Sequence, residues 1–283
     1  MNRVDAPHLG GPLRDGSLRV LAATFVRDMW TATSYRVGFL LSIGGSLVSI
    51  LSVFFLGRAF GGNLAGSLQD YGGSYFAFAV VGVAFSNLMA LGLSGISSTI
   101  REGQMMGTLE LMLLSPNRLW VLLTGASLWS HFMAVATLII YVLVGVSLGM
   151  DLGHADVPMT LLALVLSVVA FNALGLFAAS VVIVIKQGNP VSLIVGMASV
   201  LLAGVFYPVS VLPGWLQALG KLLPLTHALE LVRRAALGGE GIATLWGPLL
   251  ALVALTALLL PAGLYACSKA IQIAQTDGSL SQY

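Results

Sequence analysis

STIREGQMMGTLELMLLSPNR, residues 98–118, joins two long apolar stretches and carries Arg101, Glu102, Glu110 and Arg118 in one short connection. Charged residues make up only 8% of the chain, so their concentration here sets the segment apart. On a helical wheel it is not a simple one-sided amphipath. Met105, Met106, Leu109, Met112 and Leu113 form one apolar arc, which Glu102 interrupts. Ile100, Leu111 and Leu114 form a second, roughly opposite arc beside the small Gly103 and Gly107. Arg101, Gln104 and Thr108 lie between the arcs on one side and Glu110 on the other. A helix with two apolar faces needs two partners. It either lies among lipid headgroups or serves as a docking element between its own bundle and a soluble protein. Pro116 ends it.

Composition sets the surroundings of this segment. The chain has 283 residues, 58% of them hydrophobic, and a net charge of +2; its mean hydropathy is +0.96. A soluble domain carries about 25% charged residues, so the composition predicts an all-α polytopic membrane protein. The small net charge gives no reason to expect a nucleic-acid partner. The single Cys267 excludes an intrachain disulfide and a cysteine-based metal cluster. The first apolar stretch is preceded by 36 largely polar or amphipathic residues, too many for a cleavable signal.

Residues 1–16 read as a flexible tail, and 17–36 as an amphipathic interfacial helix opening at Ser17. Apolar runs long enough to cross a bilayer are expected at about 37–56, 75–97, 119–150, 157–185, 190–212 and 246–267. Together they form a transmembrane domain over 37–268, and residues 269–283 form a second tail. In the first run, Ser42, Gly45, Ser46, Ser49 and Ser52 make a small, polar stripe that suits close helix packing or a pathway lining. Asn87 in the second suits interhelical hydrogen bonding or substrate contact. His131 is the ionisable side chain expected at membrane depth, as a packing histidine or a proton relay. Asp151, His154 and Asp156 fall in one short loop whose spacing is common in solvated turns. Pro261 marks a kink in the last run.

Residues 207–234, YPVSVLPGWLQALGKLLPLTHALELVRR, form a second unusual block. Pro208, Pro213 and Pro224 divide it into helical pieces too short to span, which suits a re-entrant hairpin that also carries Glu230 and Arg233. Six spans would put both ends of the chain on one side. That side collects 9 Lys and Arg (Arg3, Arg14, Arg19, Arg27, Arg36, Arg101, Arg118, Lys186, Lys269) against 4 opposite (Arg58, Lys221, Arg233, Arg234), and the excess belongs in the cytoplasm.

The chain lacks an energy source of its own. Apart from His131, the six runs hold no ionisable group at their centres that could couple transport to an ion. The nearest approach to a phosphate loop is Gly220-Lys221, but Trp215 stands at the first glycine position and Leu222 replaces the hydroxyl. A proton-coupled carrier built on His131 and a non-transporting scaffold are the competing classes.

Two separate motifs carry a family resemblance. The pattern from Arg101 to Pro116, with Arg101, Glu102, Gly107, Thr108, Leu109, Glu110, Leu113 and Pro116 in place, resembles the cytoplasmic coupling helix of ABC transporter permeases of the type-2 export class. The block over 207–234 resembles the re-entrant helices that precede the last span in that family. The resemblance implies a homodimer, or a pair with a homologous permease, set in membrane lipid and driven by two ABC ATP-binding subunits. ATP and Mg would sit in those subunits and no cofactor in this chain, which would be a transport subunit and not an enzyme. The expected location is the cytoplasmic (inner) membrane. Glu102 and Glu110 match acidic positions that face basic residues of the ATPase, and Ser46, Ser49, Asn87, Phe206 and Tyr207 become candidate pathway positions. Drugs, lipids, glycolipids and polysaccharides are the cargo classes the resemblance implies.

Overall fold

The computed structural model describes residues 17–34, 36–64, 71, 73–107, 119–185 and 189–276. These residues form α1 (Ser17–Ser34), α2 (Arg36–Leu64), α3 (Tyr75–Met105), α4 (Leu119–Ser147), α5 (Val157–Ile185) and α6 (Pro190–Leu202). A 3-10 turn (Val209–Val211), α7 (Gly214–Gly220), α8 (Pro224–Ala236) and α9 (Trp246–Thr276) follow. Among the described residues there is no strand. Four helical stretches are long and apolar enough to cross a membrane: α3, Ser127–Ser147 within α4, α5, and Trp246–Ala274 within α9. Ile43–Ala59 within α2, and α6, are apolar but shorter.

In an apolar medium backbone groups must be satisfied inside the segment, so long apolar runs become helices. Their starts are fixed by local chemistry. Ser74 accepts from the Ala77 amide ahead of α3, Asp156 from the Met159 amide ahead of α5, and Asn189 from the Ser192 amide before Pro190 opens α6. Inside the helices, hydroxyls fold back on the preceding turn: Ser167 to Ala163, Ser180 to Phe177 and Thr256 to Leu252. Polar atoms therefore cost little in apolar runs.

α3 is the central helix. It packs on α2, α4, α5, α6 and α8, and nearly every residue from Ala77 to Met89 is buried. α5 crosses it where both backbones are bare. A Cβ at Gly175 would stand 2.3 Å from the Gly92 carbonyl oxygen, and one at Gly92 would stand 2.9 Å from the Phe171 Cβ. α9 packs on the far side of α5, burying Cys267 with Ile96, Ile100 and Leu176. Gly175→Ala is expected to cost roughly 1–3 kcal/mol, because rigid backbone stands where the methyl must go. Thermal unfolding of the purified chain checks this; an unchanged melting temperature would mean that the crossing is looser than described.

α1 does pack on the bundle. Phe25 meets Trp129 and Phe132 of α4 at 5.7 Å between ring centroids, while Val26 and Trp30 are exposed.

Several boundaries differ from the expected ones. α3 runs past 97 to Met105, because nothing breaks the helix before Gly107 at φ +65°. Residues 98–105 are therefore its last two turns and do not begin a separate helix. α4 ends at Ser147 and not at 150, with Gly149 at φ +104° turning the chain. The helix expected over 190–212 ends at Leu202, since Gly204 at φ +75° reverses the chain ten residues early. α9 continues through Pro261 to Thr276, beyond the expected end at 267.

Candidate functional site

The two motifs meet the central helix at its opposite ends. Phe78 lies in the first turn of α3 and Glu102 in its last, about 36 Å apart at 1.5 Å per residue.

At the far end of α3 the faces are sharply divided. Ile100, Gly103 and Gln104 are buried, while Arg101, Glu102, Met105 and Met106 are exposed, Met106 by 75%. The helix stops when the Met106 amide donates to the Glu102 carbonyl and Gly107 turns into the left-handed region. The second arc seen in the sequence thus begins inside the bundle at Ile100, and the first begins outside it at Met105. Of the predicted docking residues, Arg101, Glu102 and Gly107 are placed. Thr108, Leu109, Glu110, Leu113 and Pro116 lie outside the described residues.

At the near end of α3 sits Arg233, which is 3% exposed. Three prolines shape its surroundings as expected: Pro208 precedes the 3-10 turn, Pro213 caps α7, and Pro224 opens α8. α8 then lays one face on α3 and α5. Arg233 donates from Nε to the Phe78 carbonyl at 3.1 Å. Nη1 donates to Gly204 and Nη2 to Val205, both at 2.8 Å. The guanidinium also lies 3.4 Å from the Phe78 ring centroid. One side chain therefore ties α8 to α3 and to the turn that ends α6. Gly82 makes room for it, since a Cβ there would stand 2.5 Å from Nη2.

Burial holds the Arg233 guanidinium below its ordinary pKa, opposed by Tyr71 and Glu230. Tyr71, whose hydroxyl donates to Glu230 at 3.4 Å, is pushed up to about 12 by burial and by that carboxylate. The neighbouring Arg234 pairs instead with Glu240 at 2.7 Å and Glu230 at 3.3 Å, near the surface. Its hydrogen bond to Arg234 holds the Glu240 carboxyl below the usual range. Sequence reasoning placed Arg233 on the hairpin but missed its burial. The signal was present: Arg233 falls on the stripe Leu225, Leu229, Ala236, four residues after a buried leucine.

The pathway candidates are spread over three elements, with Phe206 and Tyr207 directly after the Gly204 and Val205 carbonyls that Arg233 holds. Ser46 and Ser49 are half-buried on α2. Asn87 is turned to α4, donating to the Tyr141 hydroxyl at 2.9 Å, an interhelical bond. Phe206 and Tyr207 fall in the turn after α6, where the Tyr207 hydroxyl donates to the Leu201 carbonyl. His131 bridges α4 and α5: Nδ1 meets the Ser127 carbonyl and Nε2 meets Asn172 Oδ1, both at 2.6 Å. The imidazole therefore joins the two helices through a side-chain contact. Asp151 closes a turn on the Gly153 amide and Asp156 caps α5, so both acids have local structural work.

The sequence profile of a family described as ABC-2 type transporter matches residues 20–237, well over half of the chain. The match takes in both the Arg101–Glu102 end of α3 and Arg233. No curated protein shows significant similarity to the chain.

Proposed function

Since the chain belongs to the ABC-2 type transporter family, whose membrane domain is the permease component, we propose that it exports an amphipathic cargo on energy supplied by a separate ATPase. The cargo class is a drug-like molecule, lipid, glycolipid or polysaccharide. The observation that carries this reading is the continuous α3. It begins under the Arg233 clamp and ends in an exposed Arg101–Glu102 pair beside Met105 and Met106. A rod buried along its length transmits displacement at one end to the packing at the other, because packed interiors resist compression.

In this reading two ATP-binding subunits, holding ATP and Mg, dock on residues 101–116 of two permeases, which are either identical or homologous. Six crossings, with α2 and α6 supplying the two shorter ones, leave both ends of the chain in the cytoplasm and place the chain in the inner membrane. Closure of the ATPases moves the α3 ends and changes the seam between the two bundles. Ser46, Ser49, Asn87, Phe206 and Tyr207 are the proposed pathway positions.

The test is co-purification. A tagged chain taken from its own membrane is expected to bring an ABC ATP-binding subunit with it, and the chain alone to hydrolyse no ATP. Export in reconstituted vesicles without that subunit would overturn the proposal. The proton-driven alternative makes an opposite prediction for His131. We expect His131→Ala to lower stability by roughly 1–3 kcal/mol, through the Asn172 and Ser127 partners left unpaired, while transport per folded molecule is retained. Transport lost with stability intact would favour a proton relay.

A further inference from the structure

We infer that the cleft between α3, α4, α5 and α8 holds the upper part of one acyl chain of a membrane phospholipid, drawn from the leaflet at the level of the 148–156 loop. The cleft has a volume of about 290 Å³. That is nearly twice the roughly 150 Å³ of an apolar cavity that stays dry and accepts benzene. Its shape follows from which residues line it. Val157, Thr160, Leu161 and Leu164 on α5 stand at i, i+3, i+4 and i+7, a single stripe along that helix. Leu138, Tyr141 and Val142 repeat the spacing on α4, and Val80, Val81, Ala84 and Phe85 supply the α3 wall. A groove lined by stripes runs along the helices, and on α5 it extends about 10 Å from residue 157 to 164. That is the direction in which a lipid tail lies.

Its chemistry favours hydrocarbon over water. The wall holds only two hydroxyls, and each has a protein partner: Tyr141 accepts from Asn87 at 2.9 Å, and Thr160 donates to the Asp156 carbonyl at 2.8 Å. A buried water needs 2–4 polar partners, and the remaining wall is hydrocarbon.

The mouth decides which apolar molecule enters. Val142, Val157 and Leu161 are 37%, 59% and 55% exposed, and they sit on two of the four helices of membrane-crossing length, Val142 on α4 and the other two on α5. In a bilayer, residues exposed on such helices face acyl chains. One end of the groove is closed by Met150, Leu152 and Ala155 of the connecting loop. Asp151 and His154 of that loop are exposed, which puts polar groups where a headgroup and its ester linkages would lie. The inference needs only that the bundle is in a membrane, and it stands or falls separately from the ATPase reading.

The test uses the full chain purified in detergent and supplied with phosphatidylcholine alone. Native mass spectrometry is expected to find one phospholipid per chain surviving delipidation. Ala84→Phe or Ala155→Leu, which fill the groove, should lose that lipid at least tenfold more readily while melting no lower than wild type in lipid-free detergent. Should both variants misfold, fluorescence replaces them. With Cys267 replaced by alanine, a fluorophore at Leu161→Cys should be quenched by brominated phosphatidylcholine at far lower lipid-to-protein ratios than one at Leu258→Cys, an exposed position on α9. Equal retention by variants and wild type, or equal quenching at the two positions, would overturn the inference. So would a filled variant that loses a second copy of the chain instead of a lipid, or a wild type that retains only a cellular apolar cargo and no phosphatidylcholine.

Discussion

Arg233→Ala is expected to destabilise the folded chain by on the order of 4 kcal/mol, near the top of what one substitution does. The magnitude follows from what the side chain touches. Its three charge-assisted hydrogen bonds end on the carbonyls of Phe78, Gly204 and Val205, and its cation lies over the Phe78 ring. Truncation strands carbonyls in a buried seam and opens a void between α8 and α3. Arg233→Lys should recover only part of the loss, because an ammonium is a point donor and cannot fork across three carbonyls. Arg234→Ala is the internal control. It removes the partly exposed pairs to Glu240 and Glu230, with an expected cost below about 1 kcal/mol. Thermal unfolding in detergent, followed as loss of the folded peak in size exclusion, separates the two arginines. If both alanine variants melt together, Arg233 is not the clamp described.

The second large effect is functional. Glu102→Lys and Glu110→Lys are each expected to abolish cargo-stimulated ATP hydrolysis and transport in the assembled complex, while the chain still inserts and folds. Glu102 is exposed on the last turn of α3, where a substitution costs within about 0.5 kcal/mol of fold stability. A reversed charge facing a basic partner surface is costly in a different way, since like charges brought together at an interface repel. Activity measured beside expression and melting temperature makes the distinction. Transport undiminished in both variants would remove the docking assignment. Reduced expression with normal specific activity would make Glu102 a folding residue instead.

Much of this architecture could be read locally. Apolar runs predicted the long helices over 75–97, 157–185 and 246–267, and each is found within a helix that starts where expected. Prolines 208, 213 and 224 predicted the short pieces, and each opens or caps one. Helix ends were read less well. They depend on residues such as Gly149 and Gly204, whose left-handed conformations are visible only once the following chain has folded back. His131 and Asn87 were each left with two uses, and only the folded chain showed the partners they meet, Asn172 and Tyr141.

The sequence by itself determined that this is a helical membrane protein of one transporter family, with a charged connection and a proline-broken block as its two distinctive features. Both conclusions rest on properties a residue carries anywhere: transfer free energy, helix period and backbone restriction. Tertiary structure alone decided that the two features share one helix, and that of two adjacent arginines one is buried and the other paired near the surface. Arg233 and Arg234 are chemically identical. Their fates differ because α8 presents them to different neighbours, one to backbone carbonyls of α3 and the α6 turn, the other to two carboxylates.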